Sequence, residues 1–261
     1  MSRKFKKSLL VAALLPVGFA AQAQDGGFVQ LTYGALNASN GYSDRDYIGL
    51  NSRFAVSSGL SILFDLSQQD REENVTSVGV GAEFAAGAGA LRFMVESSNS
   101  DLGTAPDWKY ALGYRYNAGA DRGLIYDFEV SRANYEGDID ATSLRGEMVK
   151  YFPANANGSY LVTQLSASVT DSSGAADLGY DIAGVATLVT AGGLNVGAEL
   201  AFGKIAYDLA PLAPVNNDYT AFRPFVSYRF SGNAEVILRG EYIDTELYDL
   251  QGASIGIKIG L

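Results

Sequence analysis

The sequence contains neither cysteine nor histidine. Without cysteine, the chain forms no disulfide and offers no thiolate to a metal ion. Without histidine, it lacks the commonest general base and the commonest transition-metal ligand. We therefore expect no cofactor, no metal and no catalytic residue. An enzyme would have to rely on carboxylates or lysine instead, so the composition favours a protein that is not an enzyme.

Proline and long hydrophobic runs are also scarce. Beyond residue 23 no stretch of 18 or more apolar residues occurs, although 48% of the chain is hydrophobic, and this excludes membrane-spanning helices. The sequence has only six prolines, but it has 30 glycines, 16 tyrosines and 13 phenylalanines. Such a mixture favours strands and tight turns, which indicates an all-β fold.

The first 23 residues have the pattern of a secretory signal peptide. Four basic residues precede an apolar run from Leu9 to Ala21 that is too short to span a bilayer. The small-x-small pattern ending at Ala23 predicts cleavage there. We expect a signal peptide over residues 1–23 and one domain over residues 24–261.

The predicted mature chain is strongly acidic. It keeps 15 basic residues against all 29 acidic ones, which is a net charge of −14. Nucleic acid is not expected as a partner, because phosphate binding needs clustered lysine and arginine. The charge suits attraction of cations.

Apolar and polar residues alternate along most of the chain, as in half-buried strands. From Trp108 to Tyr116 the even positions are apolar or aromatic and the odd positions include Lys109 and Arg115. Fourteen such segments begin near Phe28, Asp46, Leu60, Val75, Ala90, Trp108, Gly123, Thr142, Ser159, Asp177, Leu194, Tyr219, Ala234 and Gly252. Twelve or sixteen strands stay open as alternatives, because the Asp177 segment is rich in alanine and glycine and the Tyr219 segment contains Pro224.

Connections and aromatic residues indicate a membrane barrel. Compact turns are expected after even-numbered segments, and longer acidic loops after odd-numbered ones. Segments that precede a compact turn end in an aromatic residue: Phe54, Phe84, Tyr116, Phe152 and Phe230. Short turns, long loops and an aromatic girdle are typical of outer-membrane barrels. The sequence therefore predicts a transmembrane antiparallel up-and-down β-barrel of about 14 strands.

The C-terminal residues resemble the terminal β-signal of outer-membrane proteins. Ser254, Gly256, Ile259 and Leu261 occupy its polar, glycine and two hydrophobic positions, although Leu261 stands where the family usually has an aromatic residue. With the strand count, the chain resembles the monomeric fourteen-stranded porins of the OmpG type. This resemblance implies export to the bacterial outer membrane, recognition by the barrel-assembly machinery and a monomer. It is architectural, so it transfers no functional residue.

Charged residues on the polar face of the strands are the candidate lumen lining. They are Arg53, Asp65, Glu83, Arg92, Glu96, Lys109, Arg115, Asp127, Glu129, Arg145, Glu147, Arg223, Arg229, Arg239, Glu241 and Lys258. Acids predominate in the first half of the chain, and bases near the predicted closure of the barrel. Unlike charges on opposed walls would impose a transverse field on permeating solutes.

Two functions follow from this lining. The first is a porin-like channel for passive diffusion of small hydrophilic solutes, with a weak preference for cations. The alternative is a closed barrel, plugged by its own ion pairs, with a structural, adhesion or receptor role through acidic extracellular loops. Either barrel would contact outer-membrane lipids and lipopolysaccharide. Fourteen strands favour an open lumen, because barrels of eight strands are filled by side chains and those of sixteen hold a channel.

Overall fold

A computed structural model describes residues 27–70, 73–100, 105–118, 123–137, 139–174, 176–207 and 215–261. The predicted signal peptide lies outside these residues. Within them, no helix is long and apolar enough to cross a membrane.

Fourteen strands make up the fold. They are β1 (Phe28–Ala38), β2 (Arg45–Ser57), β3 (Leu60–Asp70), β4 (Asn74–Ala86), β5 (Gly89–Asn99), β6 (Trp108–Ala118), β7 (Leu124–Tyr135), β8 (Ile139–Tyr151), β9 (Tyr160–Ser172), β10 (Gly179–Val189), β11 (Leu194–Tyr207), β12 (Val215–Arg229), β13 (Ala234–Thr245) and β14 (Asp249–Gly260).

Each strand pairs antiparallel with its neighbours in sequence, and β1 pairs with β14 to close the barrel. In that closing ladder Phe28 lies opposite Gly260 and Ala38 opposite Leu250. Closure leaves no strand edge unpaired, which a barrel in lipid requires. The predicted antiparallel barrel is confirmed, and its strand number is fourteen.

The outer surface of the barrel is apolar. Every strand carries at least one large hydrophobic side chain that is exposed. Phe54, Phe84, Tyr116, Phe152 and Phe230 are among them, at the end where even-numbered strands lead into the next strand. So continuous an apolar surface is stable only when lipid covers it. We call this end of the barrel the turn end and the opposite end the loop end.

The two ends differ in charge more than in connection length. Connections at the loop end have three to eight residues and those at the turn end two to eight, so the expected difference in length is largely absent. The reason is that polar stretches expected to be loops continue as paired strand, as at Gln69 and Asp70. Loop-end connections nevertheless carry ten acidic residues and one basic, against one of each at the turn end.

Pro224 interrupts the ladder between β12 and β13. The register is continuous from Phe222–Tyr242 to Phe225–Arg239, but the two intervening residue pairs are not joined as partners. Proline has no N–H to donate to the ladder, which explains the gap. The strand survives because its other edge is paired throughout with β11, where Ala198 lies opposite Pro224.

Aromatic rings inside the barrel lie over glycines of the neighbouring strand. Gly34 is the partner of Tyr47, and Gly197 is the partner of Phe225. A Cβ atom at Gly34 would lie 2.3 Å from the Tyr47 Cζ, and one at Gly197 would lie 2.3 Å from the Phe225 Cζ. The absent side chains let the rings lie flat on the barrel wall.

Gly34→Ala should displace the Tyr47 ring and lower the free energy of unfolding by about 1–3 kcal/mol, the range of overpacking. The control is Gly49→Ala on β2, where a Cβ meets no atom within 4 Å. The measurement is the urea unfolding midpoint of each folded variant in lipid vesicles. Equal midpoints for the two variants would contradict the packing of Tyr47 on Gly34.

Candidate functional site: the barrel lumen

A water-accessible cavity of about 1340 Å³ occupies the turn-end half of the barrel. Its lining starts at the turn residues Ser57–Gly59 and Gly87–Gly89 and reaches Glu96 on β5 and Lys109 near the loop end of β6. Fourteen strands about 4.8 Å apart and tilted by about 40° give a backbone diameter of roughly 28 Å. That width leaves room for solvent between opposed side chains.

Fourteen of the sixteen candidate lumen residues line this cavity. They are Arg53, Asp65, Glu83, Arg92, Glu96, Lys109, Arg115, Asp127, Glu129, Arg145, Glu147, Arg229, Arg239 and Lys258. Arg223 and Glu241 do not line it. The list of candidates left out two further charged lining residues, Glu199 and Glu235. Both occupy the polar phase of an alternating segment, so the same pattern would have found them.

The charged side chains that line the cavity sum to zero, but the two signs are unevenly distributed around the wall. The lining has eight acidic and eight basic residues. Strands β3–β8 contribute six acids and four bases, whereas β11–β14 and β2 contribute two acids and four bases. One wall is therefore net negative and the opposite wall, which includes the closing strands, is net positive.

Ion pairs join much of the negative wall, together with Arg53 on the adjacent strand β2, into one chain. Arg53 Nη2 lies 2.7 Å from Glu83 Oε1, and Arg115 lies 4.0 Å from Glu83 and 3.2 Å from Asp127. Arg92 continues the chain at 3.1 Å from Asp127 and 2.8 Å from Glu129. The arginines are partly exposed to the cavity, so each pair contributes at most about 1 kcal/mol. The chain ties these side chains to one another along the wall of the cavity.

A second charged cluster is buried in the wall of β11–β13. The Arg223 guanidinium, 1% exposed, is paired with Glu199 and lies 3.8 Å from Glu241. Arg239 donates to Glu199 Oε2 at 2.9 Å, and Tyr47 Oη donates to Glu241 Oε1 at 2.7 Å. Arg223 is thus shielded from the cavity by its partners. Removing one member of such a cluster typically costs about 3–5 kcal/mol.

Five candidate residues face the cavity with no ion pair within 4 Å among the residues that the structure describes. They are Asp65, Glu96, Lys109, Arg229 and Lys258. Glu96 and Lys109 are cross-strand partners. Lys258 Nζ lies 4.6 Å from the centre of the Phe28 ring. Solvent and ions in the cavity can reach these charges.

An apolar plug fills part of the loop-end half. It consists of Leu36, Ala183, Ala201, Tyr219, Ala221, Ile243, Tyr248 and Leu250. Leu250 is fully buried and Tyr248 is 1% exposed. Since Tyr248 belongs to the connection between β13 and β14, the plug is made by a loop residue that turns inward onto strand residues. Sequence analysis missed it, because a tyrosine in a connection gives no periodic signal.

Hydrogen bonds hold the connections above the plug. Ser39 and Asp249 exchange two bonds, from Ser39 N to Asp249 O at 2.9 Å and from Asp249 N to Ser39 Oγ at 2.7 Å. Asn40 Nδ2 donates to Leu247 O at 3.1 Å, and the rings of Tyr42 and Tyr248 lie 4.8 Å apart. The β1–β2 and β13–β14 connections therefore form one cover over the closing strands.

Hydroxyl groups line the other side of the loop-end half. Ser67, Ser77, Ser98, Ser143, Ser168 and Thr170 occupy the lumen phase of β3, β4, β5, β8 and β9, and we call them the hydroxyl wall. All six are partly or fully exposed. Solvent therefore reaches the loop-end half along this wall, beside the sealed plug.

The residues of the predicted assembly signal lie on β14 and at its end. Ser254 and Gly256 share the lumen phase with Lys258, whereas Ile259 and Leu261 are exposed on the outside. Among the described residues, no group of three or more acidic side chains is arranged to hold a metal ion.

Solved structures with the same fold are outer-membrane barrels. The CymD monoaromatic hydrocarbon channel is 10% identical, with a TM-score of 0.59 over 92% of this chain and 90% of that one. An outer-membrane channel from Pseudomonas putida F1 is 12% identical, with a TM-score of 0.53 and full coverage of both chains. A bacterial polysaccharide outer membrane secretin is 6% identical, with a TM-score of 0.55 over 91% and 99%. No protein-family model matches the sequence, and no curated protein matches it. At these identities the likeness concerns the fold, which is that of bacterial outer-membrane barrels.

Proposed function

We propose that this protein is a porin-like channel that lets small hydrophilic solutes diffuse across the bacterial outer membrane. The observation that carries the proposal is the charged, water-accessible cavity of about 1340 Å³ inside a lipid-covered barrel. Its lining residues are held on the wall by ion pairs, and the exposed hydroxyl wall extends the solvent-accessible surface toward the loop end. A chain that served only as a scaffold would gain more from a packed, apolar interior.

Charge at the loop end supports a weak preference for cations. The cavity itself is balanced, with eight charges of each sign. The ten acidic residues in the loop-end connections attract cations to that mouth and repel anions. Within the cavity, the net negative and net positive walls orient dipolar solutes across the barrel.

The proposal includes partners outside the lumen. Lipids of the outer membrane cover the apolar surface, and lipopolysaccharide is the neighbour of the acidic loop end. Ser254, Gly256, Ile259 and Leu261 are proposed as the signal for the barrel-assembly machinery. The functional unit is proposed to be a monomer, and neither catalysis nor a bound cofactor has a role in it.

A second candidate function is a closed barrel that acts through its acidic loops as a structural, adhesion or receptor protein. The observation in its favour is the apolar plug beneath the β1–β2 and β13–β14 connections. Purified, refolded protein in planar lipid bilayers distinguishes the two. Unitary conductance steps together with swelling of liposomes in small sugars support the channel. Absence of both would refute it in favour of the closed barrel.

We expect reversal potentials in a KCl gradient to show modest potassium preference near 0.1 M salt. The preference should disappear near 1 M, because the Debye length falls from about 10 Å to about 3 Å. Asp107→Asn/Glu136→Gln/Glu246→Gln, which neutralises three exposed loop-end acids, should weaken the preference at low salt. If the triple substitution left the potassium preference unchanged, these loop-end acids would not be its origin.

Tyr248→Ser should enlarge the unit conductance, because a polar gap in the plug admits water. The matched control is Tyr248→Leu, which keeps the site apolar and, since small apolar cavities stay dry, should conduct like the parent. Tyr248→Ser should lose about 3–5 kcal/mol of stability from the truncated ring, and Tyr248→Leu should lose less because leucine keeps part of the buried volume. Single-channel recording of folded protein is the measurement, and equal conductance of the two variants would show that the plug does not restrict the channel.

A further inference from the structure

One part of the cavity wall is apolar. Strands β8, β9 and β10 contribute six aliphatic or aromatic lining residues, which we call the apolar sector: Val149, Tyr151, Tyr160, Val162, Val185 and Val189. Both tyrosines and the two valines of β10 are partly exposed. Apolar surface in contact with water is unfavourable until another apolar group covers it. The apolar sector therefore offers a contact surface to the apolar part of a solute.

The apolar sector belongs to the lumen face of its strands. On β8, Val149 and Tyr151 follow Glu147 at alternate positions, and all three line the cavity. Lys150, which stands between Val149 and Tyr151, faces outward. The lumen face of β8 thus changes from charged to apolar toward the turn end, and on β9 and β10 no lining residue is charged.

Two cations at the turn end have no counter-ion. Arg229 and Lys258 line the cavity, and neither has a carboxylate within 4 Å among the described residues. Glu235 is the cross-strand partner of both. Its Oε1 instead accepts hydrogen bonds from Asn195 Nδ2 at 3.2 Å and from Ser227 Oγ. Since neutral donors hold Glu235, both cations are available to an anion.

Arg229 lies at the same level of the barrel as the apolar sector. Val189 and Arg229 are the last residues of β10 and β12 before the turn end. Val189 is the partner of Asn195, and Asn195 is the partner of Ser227, two residues from Arg229. Two strand spacings place the two backbones roughly 10 Å apart, and the exposed arginine side chain shortens that gap. One molecule with an apolar part and an anionic group can contact both.

The charges around the apolar sector select an anionic group. The unpaired acids Asp65 and Glu96 lie on β3 and β5, at least three strands from β8. Nearer acids are already paired, Glu147 with Arg145 at 2.8 Å and Asp127 with two arginines. An ammonium group beside the sector would therefore meet no free carboxylate. A carboxylate group meets a free guanidinium.

From this arrangement we infer that the apolar sector and Arg229 form a binding subsite for amphipathic organic acids, which are carboxylates with an aromatic or branched aliphatic body. The body covers the apolar sector, and the carboxylate accepts hydrogen bonds from the forked N–H donors of the guanidinium. Lys258 adds a second positive charge at the same end of the cavity. The inference rests on the proposed channel function, because it takes the bound acid to be a permeating solute.

The test is equilibrium dialysis of labelled solutes against the folded protein in lipid nanodiscs, with empty nanodiscs as the blank. The probe is 3-phenylpropionate, which has both an apolar body and a carboxylate. Propionate lacks the ring, 3-phenylpropan-1-ol lacks the charge and 3-phenylpropylammonium reverses it. The probe should bind saturably, and each analogue about tenfold more weakly or worse. Binding of any analogue as tight as that of the probe would overturn the inference.

One set of variants tests the anionic contact. Arg229→Gln should weaken binding of 3-phenylpropionate by about tenfold, since it removes a hydrogen bond between charged groups, and it should leave binding of the alcohol unchanged. Arg229→Lys keeps the charge without the fork and should lose less. The matched control is Lys150→Gln, which removes a positive charge from the outer face at the same end. Equal weakening by the control and by Arg229→Gln would contradict the subsite.

A second set tests the apolar contact. Val185→Thr/Val189→Thr keeps the shape of the side chains but replaces two methyl groups by hydroxyls, so it should weaken binding of the acid and of the alcohol alike by about threefold. The matched control is Val169→Thr/Val196→Thr on the outer face, where both valines are exposed. Binding that is insensitive to the β10 variant and to Arg229→Gln overturns the inference.

Conductance recordings separate the failure of this inference from that of the proposed function. Ion conductance without saturable binding of 3-phenylpropionate would leave the channel intact and remove the subsite. Saturable binding that depends on Arg229, in a protein that passes no ions, would retain the subsite and refute the channel.

Discussion

In lipid, every backbone N–H and C=O group needs a hydrogen-bond partner. This requirement governs the structure. A membrane offers no water to an open strand edge, so the sheet must close on itself. Here β1 and β14 meet along eleven paired positions, from Phe28 with Gly260 to Ala38 with Leu250. Closure puts alternate residues of every strand inside, and this alternation gives the barrel an apolar exterior and a polar lumen. Even Pro224 is tolerated only because it breaks one ladder and leaves the other intact.

The lumen is divided by chemistry into two halves. The turn-end half is a charged cavity whose side chains are partly tied to one another, as Arg92 is to Asp127 and Glu129. The loop-end half has a sealed apolar side and an accessible hydroxyl side.

Bulky groups inside the barrel depend on small residues beside them. Tyr47 lies against Gly34 and also bonds Glu241, so one glycine helps to position a buried charge cluster. Phe225 of β12 lies against Gly197 of β11 in the same way. Gly197 is two residues from Glu199 on β11. The plug uses a comparable device, since three of its members are alanines that leave space for the rings of Tyr219 and Tyr248.

The sequence by itself determined the up-and-down order of the strands and which face of each strand is apolar, and it predicted about fourteen strands with twelve or sixteen left open. Phe28, Leu60, Trp108, Leu194 and Ala234 begin strands as predicted, because alternation starts sharply there and depends only on neighbours along the chain. Strands predicted from Thr142, Tyr219 and Gly252 begin three or four residues earlier, since polar ends continue through backbone pairing without alternation. Only the tertiary structure decided that Arg223 is buried by Glu199, that Tyr248 turns inward and that serines form a wall. Those outcomes depend on which distant strands the closed barrel brings face to face, and periodicity along a chain carries no information about that.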